Sequence, residues 1–314
     1  MAERFTRLSV PRITRRRKGG GDVYATDSRM VPEETPIAFS YNGTTHAVMM
    51  ATPADMEDFA VGFSLSEGII SRIDEISEIA VEEHDEGVDI QIRLASDAGQ
   101  ELNDRRRRMA GPVGCGLCGI ESIEQALKPV ASVDKAGLKL TPHDIAHAVK
   151  LLSAVQPLHS ETGAVHAAGF YIPGKGIVAA REDVGRHNAL DKLAGALCRA
   201  GVKGETGAVV ITSRVSIEMV QKTAIIGAPI LVAVSAPTAL AIRTAHAAGM
   251  TLVALVRGDE FDVFTRHERI PVVTAQAGTK PDELVAGNAT VKPNPDPATS
   301  TLVQSPSVRM VQYG

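Results

Sequence analysis

The chain has 314 residues, with 33 Lys and Arg against 37 Asp and Glu for a net charge of −4, and 44% hydrophobic residues. That is the composition of a globular α/β-sized chain, long enough to bury roughly 75% of its unfolded surface without covalent staples. Three cysteines exclude a disulfide scaffold and favour a reducing compartment, and the acidic balance excludes a globally basic nucleic-acid binder.

In chain order, residues 1–21 (MAERFTRLSVPRITRRRKGGG) carry positive charge but no apolar stretch of signal-peptide length, and read as a mobile basic arm. Pro36 to Phe39 and His46 to Met49 flank Tyr41-Asn42-Gly43, a hairpin with Asn-Gly at its tip. Thr52-Pro53 opens a helix with Met56, Phe59, Ala60 and Phe63 at helical spacing. Short strands near Ile79–Glu82 and Val88–Leu94 complete a small α+β region over residues 22–110. A cysteine loop and connecting helices occupy 111–160.

Beyond residue 160, Phe170–Ile172 and Ile177–Ala180 form a second hairpin candidate. Helix Asn188–Ala200, strand Ala208–Thr212, helix Ile217–Ile226, strand Ile230–Val234, helix Pro237–Ala248 and strand Leu252–Val256 follow, with glycine at each helix end. Continuous apolar strands alternating with helices predict an α/β fold, a three-layer αβα core over 161–272 whose sheet is buried on both faces. Thr223 to Ile242 lacks charge, but Pro229 and Pro237 count against a spanning helix, so no membrane association and a cytoplasmic location are expected. From Val273 the apolar pattern fades, and 273–314 reads as a disordered tail.

The segment RRRRMAGPVGCGLCGIESIEQALK, residues 105–128, concentrates the chemistry. Cys115 and Cys118 form a C-x-x-C among glycines 111, 114, 116 and 119, which leave the sulfurs uncrowded. Ser122 and Gln125 have capping-box spacing, so both thiols fall near a helix N-terminus that favours thiolate. Arg105 to Arg108 push the same way if the loop folds back; otherwise they are a solvated loop. Such surroundings bring a thiol from about 8.5 to near or below neutrality. A structural zinc site wants four ligands, so one C-x-x-C would need His143, His147, His159 or His166 to complete it, and no permanent metal is expected. A thioredoxin-like dithiol follows a first strand, whereas this pair lies mid-chain. Cys198, on the apolar face of a helix, is expected in the core. Nucleobase-deaminase chemistry wants H-x-E ahead of P-C-x-x-C; here the C-x-x-C comes first and His166-Ala167-Ala168 lacks the Glu.

GCGLCG, TGAVHAAG (162–169), EDVGRHNALDK (182–192), TSRVSIEMVQK (212–222) and SAPTALA (235–241), in this order, resemble the formate dehydrogenase accessory sulfurtransferase family, FdhD, over about residues 25–272. The resemblance implies a core similar to cytidine deaminases and a cytoplasmic homodimer. It also implies a protein that accepts persulfide sulfur from a cysteine desulfurase and passes it to the molybdenum cofactor, bis(molybdopterin guanine dinucleotide), for formate dehydrogenase. By the same match Cys115 is the persulfide carrier and Cys118 the second thiol, a use that suits thiolate attack on sulfane sulfur. The family's cofactor-binding stretch falls on Val256-Arg257-Gly258-Asp259-Glu260-Phe261, at the carboxyl end of a strand where open α/β sheets place ligands. Arg257 suits a phosphate, and Asp259 or Glu260 a guanine N–H. Phe264-Thr265 stands where Tyr-Thr is expected. Ser213 and Arg214 follow another strand and point to the same rim. Arg186, His187 and Asn188 open a helix for which Asp183 is a candidate cap, and His166 either orients a phosphate or is a satisfied core histidine. The competing readings are a non-catalytic cofactor chaperone and a zinc or dithiol redox protein.

Overall fold

In the computed structural model, which describes residues 6–18, 21–95 and 130–271, the basic arm is a strand. β1 (Arg7–Lys18) pairs antiparallel along its whole length with β2 (Gly21–Pro32). Two of its arginines are matched across the ribbon: Arg12 forms a bidentate pair with Asp27 at 2.6 and 3.0 Å, and Arg15 reaches Asp22 at 2.8 Å. A basic run read alone looks like a solvated arm, because its acidic complement lies on the returning strand. The ribbon is tied down at its base, where Arg29 donates to the Thr162 carbonyl at 2.8 Å.

The small α+β region is a four-stranded sheet of order β4-β3-β6-β5, from β3 (Thr35–Tyr41), β4 (Thr44–Ala51), β5 (Ile76–His84) and β6 (Gly87–Leu94). Asn42 and Gly43 both take positive φ, 50° and 78°, as the tight turn joining β3 to β4 requires. Helix α1 (Met56–Ser66) covers one face of this sheet. Phe63 stacks on Phe39 with centroids 4.2 Å apart, and Phe59 meets Phe39 edge-on at 4.9 Å.

The larger sheet has the order β12-β11-β10-β9-β7-β8. Its strands are β7 (His166–Ile172), β8 (Gly176–Asp183), β9 (Ala208–Ile211), β10 (Ile230–Ala233), β11 (Thr251–Arg257) and β12 (Glu260–Thr265). β9, β10 and β11 run parallel; β7 is antiparallel to β9, and β12 closes the edge as a hairpin with β11. That last strand was not foreseen, because half-buried alternation in EFDVFT is a weaker signal than the unbroken apolar runs before it.

One face of the sheet is covered by α4 (Arg186–Arg199), α5 (Ile217–Ile226) and α6 (Ala239–Ala247), through Leu190, Leu193, Met219, Val220 and Ala245. The other is covered by α2 (Pro142–Ala154), through Ile145, Ala148 and Leu152, followed by the short α3 (Pro157–Thr162). Thr141 and Asp144 form a complete capping box at the start of α2, with Pro142 in the first helical turn. The αβα layering predicted from strand–helix alternation is thus present. The uncharged stretch from Thr223 breaks into the end of α5, β10 and the start of α6, and no helix among the described residues is long and apolar enough to cross a membrane.

α1 and α4 join the two sheets by crossing at glycines. A Cβ on Gly62 would lie 1.7 Å from the Asp191 carbonyl oxygen, and one on Gly195 would lie 1.9 Å from that of Asp58. Beside the crossing, Asp58 accepts from Arg181 Nη2 and Arg199 Nη1, each at 2.6 Å, and Asp191 accepts from Ser66 Oγ and Lys222 Nζ at the same distance.

Candidate functional site

β7 is antiparallel to β9, so its first residue lies at the same edge of the sheet as the carboxyl ends of β9, β10 and β11; β8 ends there too, with His166 opposite Asp183 in the ladder. One rim therefore gathers His166, the Asp183–His187 turn, Thr212–Arg214, Ser235 and the β11–β12 turn. These belong to four sequence blocks and the Val256–Phe261 stretch, brought together by topology alone. A bridge between Val215 and Pro237 and a bond from Leu255 N–H to the Ser235 carbonyl, 3.4 Å, knit the loops after β9 and β10 to one another and to the end of β11.

The predicted cofactor stretch divides in two. Val256 is buried, 2% exposed, and Phe261 packs half-buried against the same core, so both serve the fold. Arg257, Gly258, Asp259 and Glu260 form the exposed turn of a hairpin in which Arg257 pairs with Glu260 and Gly258 takes φ +60°. A register shift between Ala254 and Arg257 puts Leu255 at φ 58°, an outlier for a leucine and a local strain directly behind the turn. Ser213 is buried, its hydroxyl donating to the Arg214 carbonyl at 3.0 Å, while Arg214 is exposed. The guanidinium groups of Arg186, Arg214 and Arg257 make no hydrogen bond or ion pair among the described residues. Cys115, Cys118, Ser122, Gln125 and Arg105–Arg108 lie outside the described residues, as does the 273–314 tail.

The EDVGRHNALDK block is chiefly a fastening device, which its spacing did not reveal. Glu182 accepts from the backbone N–H groups of Leu158 and His159, both at 2.8 Å, and so caps α3. Asp183 and Lys192 are fully buried and 2.6 Å apart. Asp183 also accepts from Thr52 N at 3.0 Å, Gly185 N at 2.7 Å and Asn188 Nδ2 at 3.0 Å, while Lys192 donates to the Thr52 carbonyl at 2.8 Å. Burial pulls the Lys192 ammonium below the ordinary lysine range, against the opposing pull of Asp183. Asp183 is not the cap of α4, whose N-cap is Gly185 with no side-chain cap bond; it binds the β4–α1 connection to the larger core. Arg186 and His187 are the members left facing the rim. His187 Nε2 lies 3.7 Å from Glu218 Oε2, and burial followed by the Arg186 charge lowers its pKa.

His166 is half-buried, and its ring has no hydrogen-bond partner among the described residues, which argues against a satisfied core histidine. Its pKa is lowered by burial first, then by the charges of Arg186 and His159. Cys198 is half-buried in the last turn of α4 rather than in the core, since it sits where the helix runs out to solvent beside Arg199. Burial raises its pKa, so it stays a thiol at neutral pH.

These features define an α/β protein with a basic rim at the carboxyl ends of its parallel strands. The chain belongs to the FdhD/NarQ family, whose model matches residues 32–271. It is 61% identical over 246 residues to the sulfur carrier protein FdhD of Agrobacterium fabrum, covering 78% of this chain and 91% of that one. Against the protein of the same name from Xanthomonas axonopodis pv. citri it is 47% identical over 267 residues, covering 85% of this chain and 94% of that one. A crystal structure from Desulfotalea psychrophila, assigned as a formate dehydrogenase accessory protein, superposes with a TM-score of 0.65 at 28% identity. It covers 84% of this chain and all of that one.

Proposed function

We propose that this chain is a sulfur carrier serving formate dehydrogenase, taking persulfide sulfur from a cysteine desulfurase and delivering it to bis(molybdopterin guanine dinucleotide) held at the rim. The observation that carries the reading is the meeting of separate family blocks at one edge of the sheet, with three arginines there that have no side-chain partner among the described residues. A cargo bearing phosphates and guanines is the chemistry such a rim suits.

In the first step the Cys115 thiolate attacks the outer sulfur of the donor's persulfide. The donor S–S bond breaks, its cysteine leaves as thiolate, and Cys115 becomes a persulfide. In the second, the Cys118 thiolate attacks the sulfur of Cys115 itself. Hydrosulfide leaves toward the cofactor with the two electrons the cysteines give up, and the Cys115–Cys118 disulfide left behind is returned to the dithiol by an external thiol reductant.

Incubation with a cysteine desulfurase and cysteine is expected to add one sulfur atom's mass to the peptide containing Cys115, reversibly by thiol reductant. Cys115→Ala abolishes the gain and Cys118→Ala keeps it. A Cys115→Ala protein that gains sulfur as the parent does would contradict the assignment.

A further inference from the structure

The β1–β2 ribbon belongs to neither of the larger sheets and has no part in the sulfur chemistry, and the family match begins at residue 32, where β2 ends. Over residues 7–32 the sequence holds six arginines and one lysine against two aspartates, a net +5 in a chain of −4. The remainder therefore carries −9, and basic charge is concentrated on this one element.

Its base is fastened beside the rim. Arg7 pairs with Glu161, and Arg29, which holds the Thr162 carbonyl, has its Nη2 3.3 Å from where a Cβ on Gly163 would be, three residues short of His166. No hydrogen bond or ion pair among the described residues fastens the half beyond Pro11 and Ser28 to another element. That half continues for seven residue steps, about 24 Å. A two-stranded ribbon on its own is marginal in water unless another surface covers a face.

The register decides which face. Ile13 lies opposite Thr26 and Arg15 opposite Tyr24, so Ile13, Arg15, Arg17, Asp22 and Tyr24 share one side. Ile13 is 73% exposed and Tyr24 64%, the two most exposed large apolar side chains among the described residues. They are diagonal neighbours across the ladder and form one patch. Beside it Arg15 is paired with Asp22, while Arg17 has no partner among the described residues. A nucleic acid wants unpaired cations along the whole element. Here Arg12 and Arg15 are already neutralised by Asp27 and Asp22, and apolar side chains occupy the face between. An aromatic and aliphatic centre with a cationic edge fits instead a protein whose apolar groove is bordered by carboxylates.

Resting on the reading of persulfide transfer, we propose that the Ile13–Tyr24 face of the ribbon is the docking surface for the sulfur donor protein. Both side chains enter an apolar groove of the donor, and Arg17 meets its acidic border. The donor holds its persulfide covalently, so Cys115 reaches that sulfur only while the two proteins are in contact. A ribbon rooted beside the rim keeps the donor next to the edge where the sulfur is used.

Loading of Cys115 by a purified cysteine desulfurase with cysteine, followed by mass at rising concentrations of the full chain, tests this. The double variant Ile13→Thr, Tyr24→Thr keeps strand-forming residues. It and Arg17→Glu are each expected to raise the concentration giving half-maximal rate about tenfold or more. The rate at saturation, the unfolding midpoint and loading by glutathione persulfide, which needs no docking, stay at parent values. Val23→Thr, on the opposite side of the ribbon, should stay within about twofold of the parent. Added salt should weaken docking of the parent more than that of Arg17→Glu. Parent-like concentration dependence in both face variants overturns the surface and leaves sulfur carriage standing. So does a loss in those variants confined to self-association or to binding of duplex DNA, which would name a different occupant. A parent loaded by glutathione persulfide but not by the desulfurase overturns donor docking alone, and one whose Cys115 takes sulfur from neither overturns the carrier reading as well.

Discussion

Gly195→Ala is expected to destabilise the protein by about 3 kcal/mol or more, and Gly62→Ala to do the same, read as a drop in the guanidinium unfolding midpoint. Two effects oppose each other at these positions. An alanine inside a helix gains about 1 kcal/mol over glycine in intrinsic propensity. Against that, the new methyl would sit 1.9 Å from the Asp58 carbonyl oxygen in one case and 1.7 Å from that of Asp191 in the other. Both obstacles are backbone, so no side chain can swing away; α1 and α4 must separate. Separation stretches the Asp58–Arg181, Asp58–Arg199 and Ser66–Asp191 bonds that flank the crossing. The clash wins. Gly137→Ala is the control, because nothing lies within 4 Å of its Cβ position and its φ is ordinary; its effect should stay within about 0.5 kcal/mol. A Gly195→Ala protein as stable as the parent would mean that the helices do not cross this closely.

The second large effect belongs to the buried pair. Lys192 and Asp183 are both fully shielded, and Lys192 Nζ also lies 5.3 Å above the Phe59 ring. Removing one partner strands the other's charge, at a cost of about 3–5 kcal/mol. Lys192→Met and Asp183→Asn should each show this in equilibrium unfolding. Asp183→Asn is the more damaging, because it disturbs the bonds to Thr52, Gly185 and Asn188 as well. Combining the two removes the stranded charge, so the double variant should lose less than the sum of the single losses, by about 1–3 kcal/mol. Strict additivity would show that the pair does not act as a unit.

Local signals in the sequence carried much of the fold. The Asn42-Gly43 turn, the α1 stripe and the βαβ alternation after residue 200 have causes contained within a few residues, and helix Ile217–Ile226 matches its predicted limits. What was hidden depends on partners far along the chain. Arg12 finds Asp27 across a ribbon, and Asp183 finds Thr52 on a different sheet's connection, 131 residues away. Gly62 and Gly195 were a readable clue, since glycine within a helix pattern is costly unless something approaches closely. For the site, the motif blocks converge on one rim, yet sequence could not say that Val256 and Phe261 face the core while Arg257 to Glu260 face outward. Nor could it distinguish His166 as a half-buried ring with no partner among the described residues from a core histidine, which depends on the fold around β7.

Sulfur carriage by this chain is tested most directly by a single-turnover transfer. Protein loaded with radioactive sulfur on Cys115 and freed of desulfurase is mixed with bis(molybdopterin guanine dinucleotide), and the label is followed. Loss of label from Cys115, matched by its appearance in the cofactor fraction and blocked by Cys118→Ala, is the predicted result. Label that stays on Cys115, or that appears only as free sulfide at the same rate with and without cofactor, would contradict it.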